Sequence, residues 1–153
     1  MNDRWGRFTA RGGEAVEARV RGLVERAAEE TAKAIPANEY RALVLIGGFG
    51  RGEGGVVEGD GVERPHNNLD FLLIATGASA AKGAALRARL ESALLPLSRE
   101  FDIELDISVT SVSKLLHAPS LVIWYDMRFG HKTVLGDPTF VPSLDRFRLD
   151  HIP

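Results

Sequence analysis

From Glu14 to Ala34 the apolar positions recur at helical spacing, with Val16, Val20, Leu23, Val24, Ala27 and Thr31 on one side and Glu and Arg filling the other. This predicts an amphipathic helix ended by Pro36. Arg41 to Ile46 is a short leucine- and valine-rich run bounded by glycine, which suits a buried strand better than a helix of that length. Leu69 to Ala75 reads as a second strand, and Ser79 to Ser98 as a helix carrying Leu86, Leu90, Ala93, Leu94 and Leu97 on one face, disturbed in its last turn by Pro96. Asp102 to Val109 alternates strictly, Ile103, Leu105, Ile107 and Val109 against Asp102, Glu104, Asp106 and Ser108, and is the clearest strand in the chain. Pro119 to Phe129 predicts a short helix closed at Gly130, and Lys132 to Leu135 a last strand before Gly136-Asp137-Pro138. Between Gly47 and Gly61 lie eight of the 16 glycines, so that stretch is expected to be an irregular loop with exposed backbone.

The resulting order of helix, strand, glycine loop, strand, helix, strand predicts an α+β or α/β domain with a small mixed sheet and helices over one face. No repeat or linker divides the 153 residues, so residues 1–153 are expected to form a single domain without a separate helical one. A net charge of -2 provides no basic field for a broad nucleic-acid surface, whereas a small anionic ligand fits. The absence of cysteine excludes disulfides, thiolate metal sites and cysteine nucleophiles, so any metal must be held by oxygen or histidine. The apolar runs are too short to span a bilayer, and Asp3, Arg4 and Arg7 mark an N-terminus without an apolar signal core, so a cytoplasmic location is expected.

The candidate chemistry lies in two stretches, Ile46-Gly47-Gly48-Phe49-Gly50-Arg51-Gly52-Glu53-Gly54-Gly55 and Asn68-Leu69-Asp70. Side chains two apart on a strand share a face at roughly 7 Å spacing, so Asn68 and Asp70 point the same way, and Asp106 or Glu104 can join them from a neighbouring strand. Hard cations prefer such oxygen donors, and two ions about 3.5–4 Å apart suit phosphoryl or nucleotidyl transfer. Glycine lets backbone N–H groups approach phosphates closely, and Arg51 offers a fixed positive charge.

Plainer readings compete at each position. Gly50-Arg51-Gly52-Glu53-Gly54-Gly55 satisfies the dinucleotide pattern G-x-G-x-x-G, but no helix is expected to open there, and no Gly-Lys-Ser or Gly-Lys-Thr marks a Walker loop. The loop could be a flexible hairpin, Asp106 a member of a solvated strand face, and Arg51 a structural tie to carbonyls or to an acid. Asp70 stands between apolar neighbours, where a carboxylate is costly unless paired or metal-bound. His66 is expected in a loop from which it could approach the site, although a loop histidine is usually just solvent-exposed, and His117, His131 and His151 lack zinc spacing. Trp124 and Tyr125 read as core or interface groups, and Trp5 as packing for the N-terminal arm.

From Ala42 to Val109 these residues resemble nucleotidyltransferases of the DNA polymerase beta type, including the small-molecule and antibiotic-modifying members. Gly47-Gly48 is similar to their strand-to-turn element, Arg51-Gly52-Glu53 to the Arg-Gly element, Asn68-Leu69-Asp70 to the Asp-x-Asp strand, and Asp106 to the later acid; Gly136-Asp137-Pro138 resembles a turn that often follows. The resemblance implies a polymerase beta-like fold and transfer of a nucleoside monophosphate from a nucleoside triphosphate, ATP among them, to a hydroxyl of a small molecule, a protein or an RNA end. Asp70 and Asp106 would hold Mg²⁺ or Mn²⁺, with Asn68 at the first acidic position, while Gly47, Gly48, Arg51 and Glu53 would meet the nucleotide. Asn68 is the departure: an amide keeps an oxygen but removes a negative charge, so metal affinity and transition-state neutralisation should suffer, or the site should be a degenerate nucleotide-binding or regulatory module. The family often places an all-helical substrate domain after the catalytic half, whereas this chain stops at Asp150-His151-Ile152-Pro153, so the acceptor pocket is expected to be incomplete, the chain being a truncated piece, a minimal enzyme, or one that completes its site with another copy or a separate helical partner.

Overall fold

The computed structural model describes residues 4–77 and 79–153. Its centre is a four-stranded mixed sheet in the order β5-β4-β1-β6, formed by β1 (Tyr40–Ile46), β4 (Leu69–Ala75), β5 (Leu105–Ser111) and β6 (Lys132–Gly136). β1 runs antiparallel to both β4 and β6, while β4 and β5 are parallel. Parallel neighbours need a crossover, and α3 (Ala80–Phe101) supplies it.

The two central strands are buried on both faces, which explains why Ala42–Leu45 and Phe71–Ala75 are nearly continuous apolar runs rather than alternating ones. Leu43, Leu45, Phe71 and Leu73 face the larger core, which α1 (Glu14–Ala34) and α3 close with Val20, Leu23, Val24, Leu90 and Leu94. Ala42, Val44, Leu72 and Ile74 face the other way, against α4 (Val112–His117), α5 (Val122–Gly130) and C-terminal turns that bring in Phe140, Val141, Leu144 and Phe147. The long helices thus cover one face as expected, and short elements cover the second. Trp124 packs on this second core and stacks with Phe147, 6.2 Å between centroids.

Three expectations change. The glycine-dense stretch is regular for most of its length: α2 (Gly47–Arg51) starts directly from β1, and β2 (Gly55–Gly59) pairs with β3 (Val62–His66) in a hairpin. Asp60 and Gly61 turn that hairpin with φ of +53° and +74°, the type I′ geometry that Asp-Gly favours. Gly50 in α2 answers to packing: a Cβ there would lie 2.5 Å from the carbonyl oxygen of Leu45. Secondly, α3 runs through Pro96 to Phe101, with Pro96 on the exposed side, where the carbonyl whose partner N–H is missing is open to solvent rather than buried. Thirdly, β5 begins at Leu105, not Asp102, because Asp102 adopts φ +51° as the cap of α3; the alternation of buried and exposed side chains still runs from Asp102 to Ser108.

The N-terminal arm braces α2 and β2 from below. Phe8 is fully buried, its carbonyl accepts from Gly54 N–H at 3.0 Å, and Thr9 bridges to Gly54. Glu17 anchors the arm by accepting from the N–H groups of Phe8 and Thr9 and from the Thr9 hydroxyl at 2.6–2.9 Å. Burial pushes the Glu17 carboxyl up, but the Thr9 hydroxyl, the two N–H groups and Arg7 outweigh it and hold it below its usual range. Trp5 packs as expected on the arm and donates to the Thr133 carbonyl at 2.7 Å. No helix among the described residues is long and apolar enough to cross a membrane.

Candidate active site

At the N-terminal ends of β4 and β5 the parallel register sets Asp70 directly beside Asp106, and the antiparallel register with β1 sets Ile46, the residue before α2, beside Asp70. Two carboxylates and the start of α2 therefore meet at one sheet corner. Asn67 turns the chain from β3 into β4 with φ +66°, a conformation Asn tolerates better than most residues, and aims Asn68 at the acids. Asn68 Nδ2 donates to Asp70 Oδ1 at 2.8 Å and to Asp106 Oδ2 at 2.5 Å.

Three of the sequence-derived residues, Asn68, Asp70 and Asp106, are thus brought together, while Glu104 stays exposed outside the cluster. Burial raises the Asp70 carboxyl above its ordinary range, and the negative charge of Asp106 raises it further; the Asn68 amide and the distant Arg51 offset this only in part. Gly47 borders the same carboxylate. Its φ is +70°, and a Cβ there would sit 2.5 Å from Asp70 Oδ2, so both the backbone and the neighbour require glycine. Gly48 differs, since the nearest atom to a Cβ would be the Glu53 carbonyl oxygen at 3.7 Å, an ordinary contact.

A recess of about 300 Å³ opens beside the acids, lined by Gly48, Arg51, Glu53, Asn68 and Asp70 together with Phe49, Gly54, Gly55, His66 and Asn67. Arg51 and Glu53 pair across its rim at 3.0 Å, Glu53 largely and Arg51 partly exposed, so Arg51 already has the acidic tie of its structural reading. The aliphatic stem of Arg51 lies against Gly130, where a Cβ would be only 2.3 Å away. Behind α2, Lys132 donates to the Gly50 carbonyl at 3.1 Å, and burial holds its ammonium below the usual lysine range. His66 was expected in a loop but ends β3 with its side chain at the recess. The recess thus receives His66, which could approach the site from its expected loop, and also Asn67, which has no place among the expected site residues. The Asn67-Asn68 pair before an apolar strand was the available signal, since Asn marks turns of positive φ.

Among the described residues no group of three or more His, Cys, Asp or Glu side chains is placed to hold a metal ion. The donors at the corner are the carboxylates of Asp70 and Asp106 and the amide of Asn68, all capable of presenting oxygen to a hard divalent cation. The amide nitrogen, rather than its oxygen, faces both acids, so Asn68 now fills by hydrogen bonding the space between them. With the amide turned over, the corner would present two carboxylates and one amide oxygen.

No protein-family model and no curated protein matches the chain. Among solved structures it is similar to the crystal structure of a "putative nucleotidyltransferase" from Sulfolobus solfataricus, at 20% identity over 69% of this chain and 80% of that one, with a TM-score of 0.42.

Proposed function

We propose that the chain is a nucleotidyltransferase-type domain that binds a nucleoside triphosphate in the recess beside α2 and moves the nucleoside monophosphate to a hydroxyl acceptor, with turnover held low by Asn68. The observation that carries this reading is the pairing of Asp70, which lines the recess, with Asp106 on the neighbouring strand, bridged by Asn68. Gly48 supports it: unlike Gly47 and Gly50 it is not required by the protein's own packing, and it lines the recess, where a glycine lets a phosphate approach the backbone. Arg51 would exchange its exposed partner Glu53 for phosphate oxygens, which a guanidinium can grip in a bidentate way.

In the reaction, the acceptor oxygen forms a bond to the α-phosphorus as the bond from that phosphorus to the bridging oxygen of pyrophosphate breaks. Asp106, the more exposed acid, takes the acceptor proton, and pyrophosphate leaves with the electron pair. Asp70 and Asp106 would hold Mg²⁺ or Mn²⁺, which when bound neutralises phosphate charge and favours the ionised acceptor. Asn68 makes the site less negative by one charge than an aspartate would, weakening its hold on a cation. The acceptor class, whether a small molecule, a protein or an RNA end, is left to the assay.

A second reading, a nucleotide-binding module without turnover, is favoured by the Asn68 bridge itself, because it supplies the two acids with a neutral partner. Pyrophosphate release from each of the four nucleoside triphosphates, with Mg²⁺ and with Mn²⁺, on this chain and on Asn68→Asp, separates the two; calorimetry follows binding. Release by this chain that rises in Asn68→Asp supports the first reading. Release by Asn68→Asp alone, with nucleotide bound by both, supports the second. Neither binding nor release in either protein would discard both.

A further inference from the structure

The two edges of the sheet are treated differently. Along β6 the N-terminal arm covers the outer backbone: Arg4 Nη2 donates to the Val134 carbonyl at 3.0 Å and Trp5 Nε1 to that of Thr133. β5 forms the opposite edge. It is seven residues long, keeps an unbroken register with β4 and contains no Lys, Pro or bulge, the usual devices that keep an edge from pairing. The Glu104 carbonyl accepts from Leu69 N–H, so by alternation Asp106, Ser108 and Thr110 turn their backbone groups to β4, while Leu105, Ile107, Val109 and Ser111 turn theirs outward.

The groove between this edge and α3 has a charge gradient. Near the start of β5 it is lined by Glu91 and Glu104 with no cation, beside Leu95, which is 48% exposed. Near the end of β5 it is lined by Arg87 and Lys114 with no acid. Arg87 and Glu91 pair at 2.9 Å where the two stretches meet, which leaves Glu104 and Lys114 as the outer charges. A groove acidic at one end and basic at the other is complementary to itself under a two-fold rotation that reverses the strand.

We propose that β5 pairs antiparallel with β5 of a second copy, joining the two sheets into one of eight strands. The register that matches the whole strand is centred on Ser108: Leu105 meets Ser111 and Ile107 meets Val109 through the outward backbone groups, Asp106 lies opposite Thr110, and no like charges oppose within the strand. The pairing brings Glu104 of each copy to the Lys114 end of the other. Asp106 sits on the pairing strand itself, so the candidate active site borders the interface. This inference stands on the edge and the groove and does not need the proposed chemistry.

The test is sedimentation equilibrium over a micromolar to millimolar series on this chain, Glu104→Lys, Lys114→Glu and the double variant, with circular dichroism to verify folding. This chain should dimerise, each single variant, which brings like charges together twice by symmetry, should weaken the dimer about tenfold or more, and the double variant should recover it. Because the chain has no cysteine, Ser108→Cys supplies a second measurement: opposed Cα atoms at a non-hydrogen-bonded pair lie about 4.5 Å apart, within disulfide reach. It should cross-link on mild oxidation, whereas the exposed control Ser143→Cys should not. A monomer throughout the series, single variants that dimerise like this chain, or no cross-link at Ser108→Cys would each overturn the proposal.

Discussion

Replacing Gly47 by alanine should uncouple the candidate site from the rest of the fold by a calculable amount. Two penalties combine. An L-residue held at φ +70° costs about 1–2 kcal/mol. The added Cβ would also lie 2.5 Å from Asp70 Oδ2, and relieving that overlap means rotating the carboxylate away from Asn68. Loss of a hydrogen bond to a charged group adds about 1.5–3 kcal/mol, for a total of about 2.5–5 kcal/mol. The internal control is Gly61→Ala in the β2–β3 turn, which has φ +74° and nothing within 4 Å of the new Cβ, so only the backbone part remains. Urea denaturation of the two variants and of the parent gives both numbers. A third measurement, Gly47→Ala in an Asp70→Ala background, should return the cost of the alanine to the Gly61 value. If Gly47→Ala and Gly61→Ala differ by less than about 0.5 kcal/mol, the limit of ordinary additivity, the assigned contact between Gly47 and Asp70 is wrong.

The remaining predictions concern pH and packing. The Asp70 carboxyl is raised in the folded protein, so it binds a proton more readily there than in the unfolded chain; its contribution to stability is most favourable below the ordinary carboxylate range, about 4, and is lost as pH rises through the raised value. Asp70→Asn should therefore be more stable than the parent at neutral pH and lose that advantage in acid, as read by thermal melts across pH. Glu17 has the opposite sign: its pKa is lowered, so its stabilisation is present above the ordinary range and disappears as pH falls through the lowered value. Glu17→Ala should cost about 2–3 kcal/mol at neutral pH and less in acid, in the same melts. Gly50→Ala would drive a Cβ to 2.5 Å from the Leu45 carbonyl oxygen and 2.8 Å from that of Gly130, neither of which can yield, and should lose about 3 kcal/mol or more in denaturation.

The sequence was legible where one physical signal dominated. The heptad-like stripe of α1 predicted its ends, Glu14 and Ala34, and the continuous apolar run of β4 predicted Leu69 to Ala75, because burial sets both patterns. It was misleading where glycine served packing rather than flexibility. Gly50 and Gly54 lie against the Leu45 carbonyl and the Phe49 ring, contacts made by residues before them in the chain, and composition alone cannot distinguish a tight helix start from a loose loop. At the site, the strand period placed Asn68 and Asp70 together, and the parallel register that chooses Asp106 over Glu104 emerges only once β4 and β5 pair. His66 reads as a loop residue because β3 has no apolar alternation to mark it as a strand: Val62-Glu63-Arg64-Pro65-His66 is mostly polar and half exposed.

The buried arm has an effect on how variants of this protein would be interpreted. Phe8 and Gly54 are joined by a backbone hydrogen bond across most of the first third of the chain, so the floor of the recess cannot form until two distant segments have met. Contacts of such sequence separation are slow to close. In a mutational scan scored by ligand binding, Phe8 and Glu17 would therefore stand out as binding residues although neither lines the recess, and exchange of the Gly54 amide with solvent would report the docking of the arm.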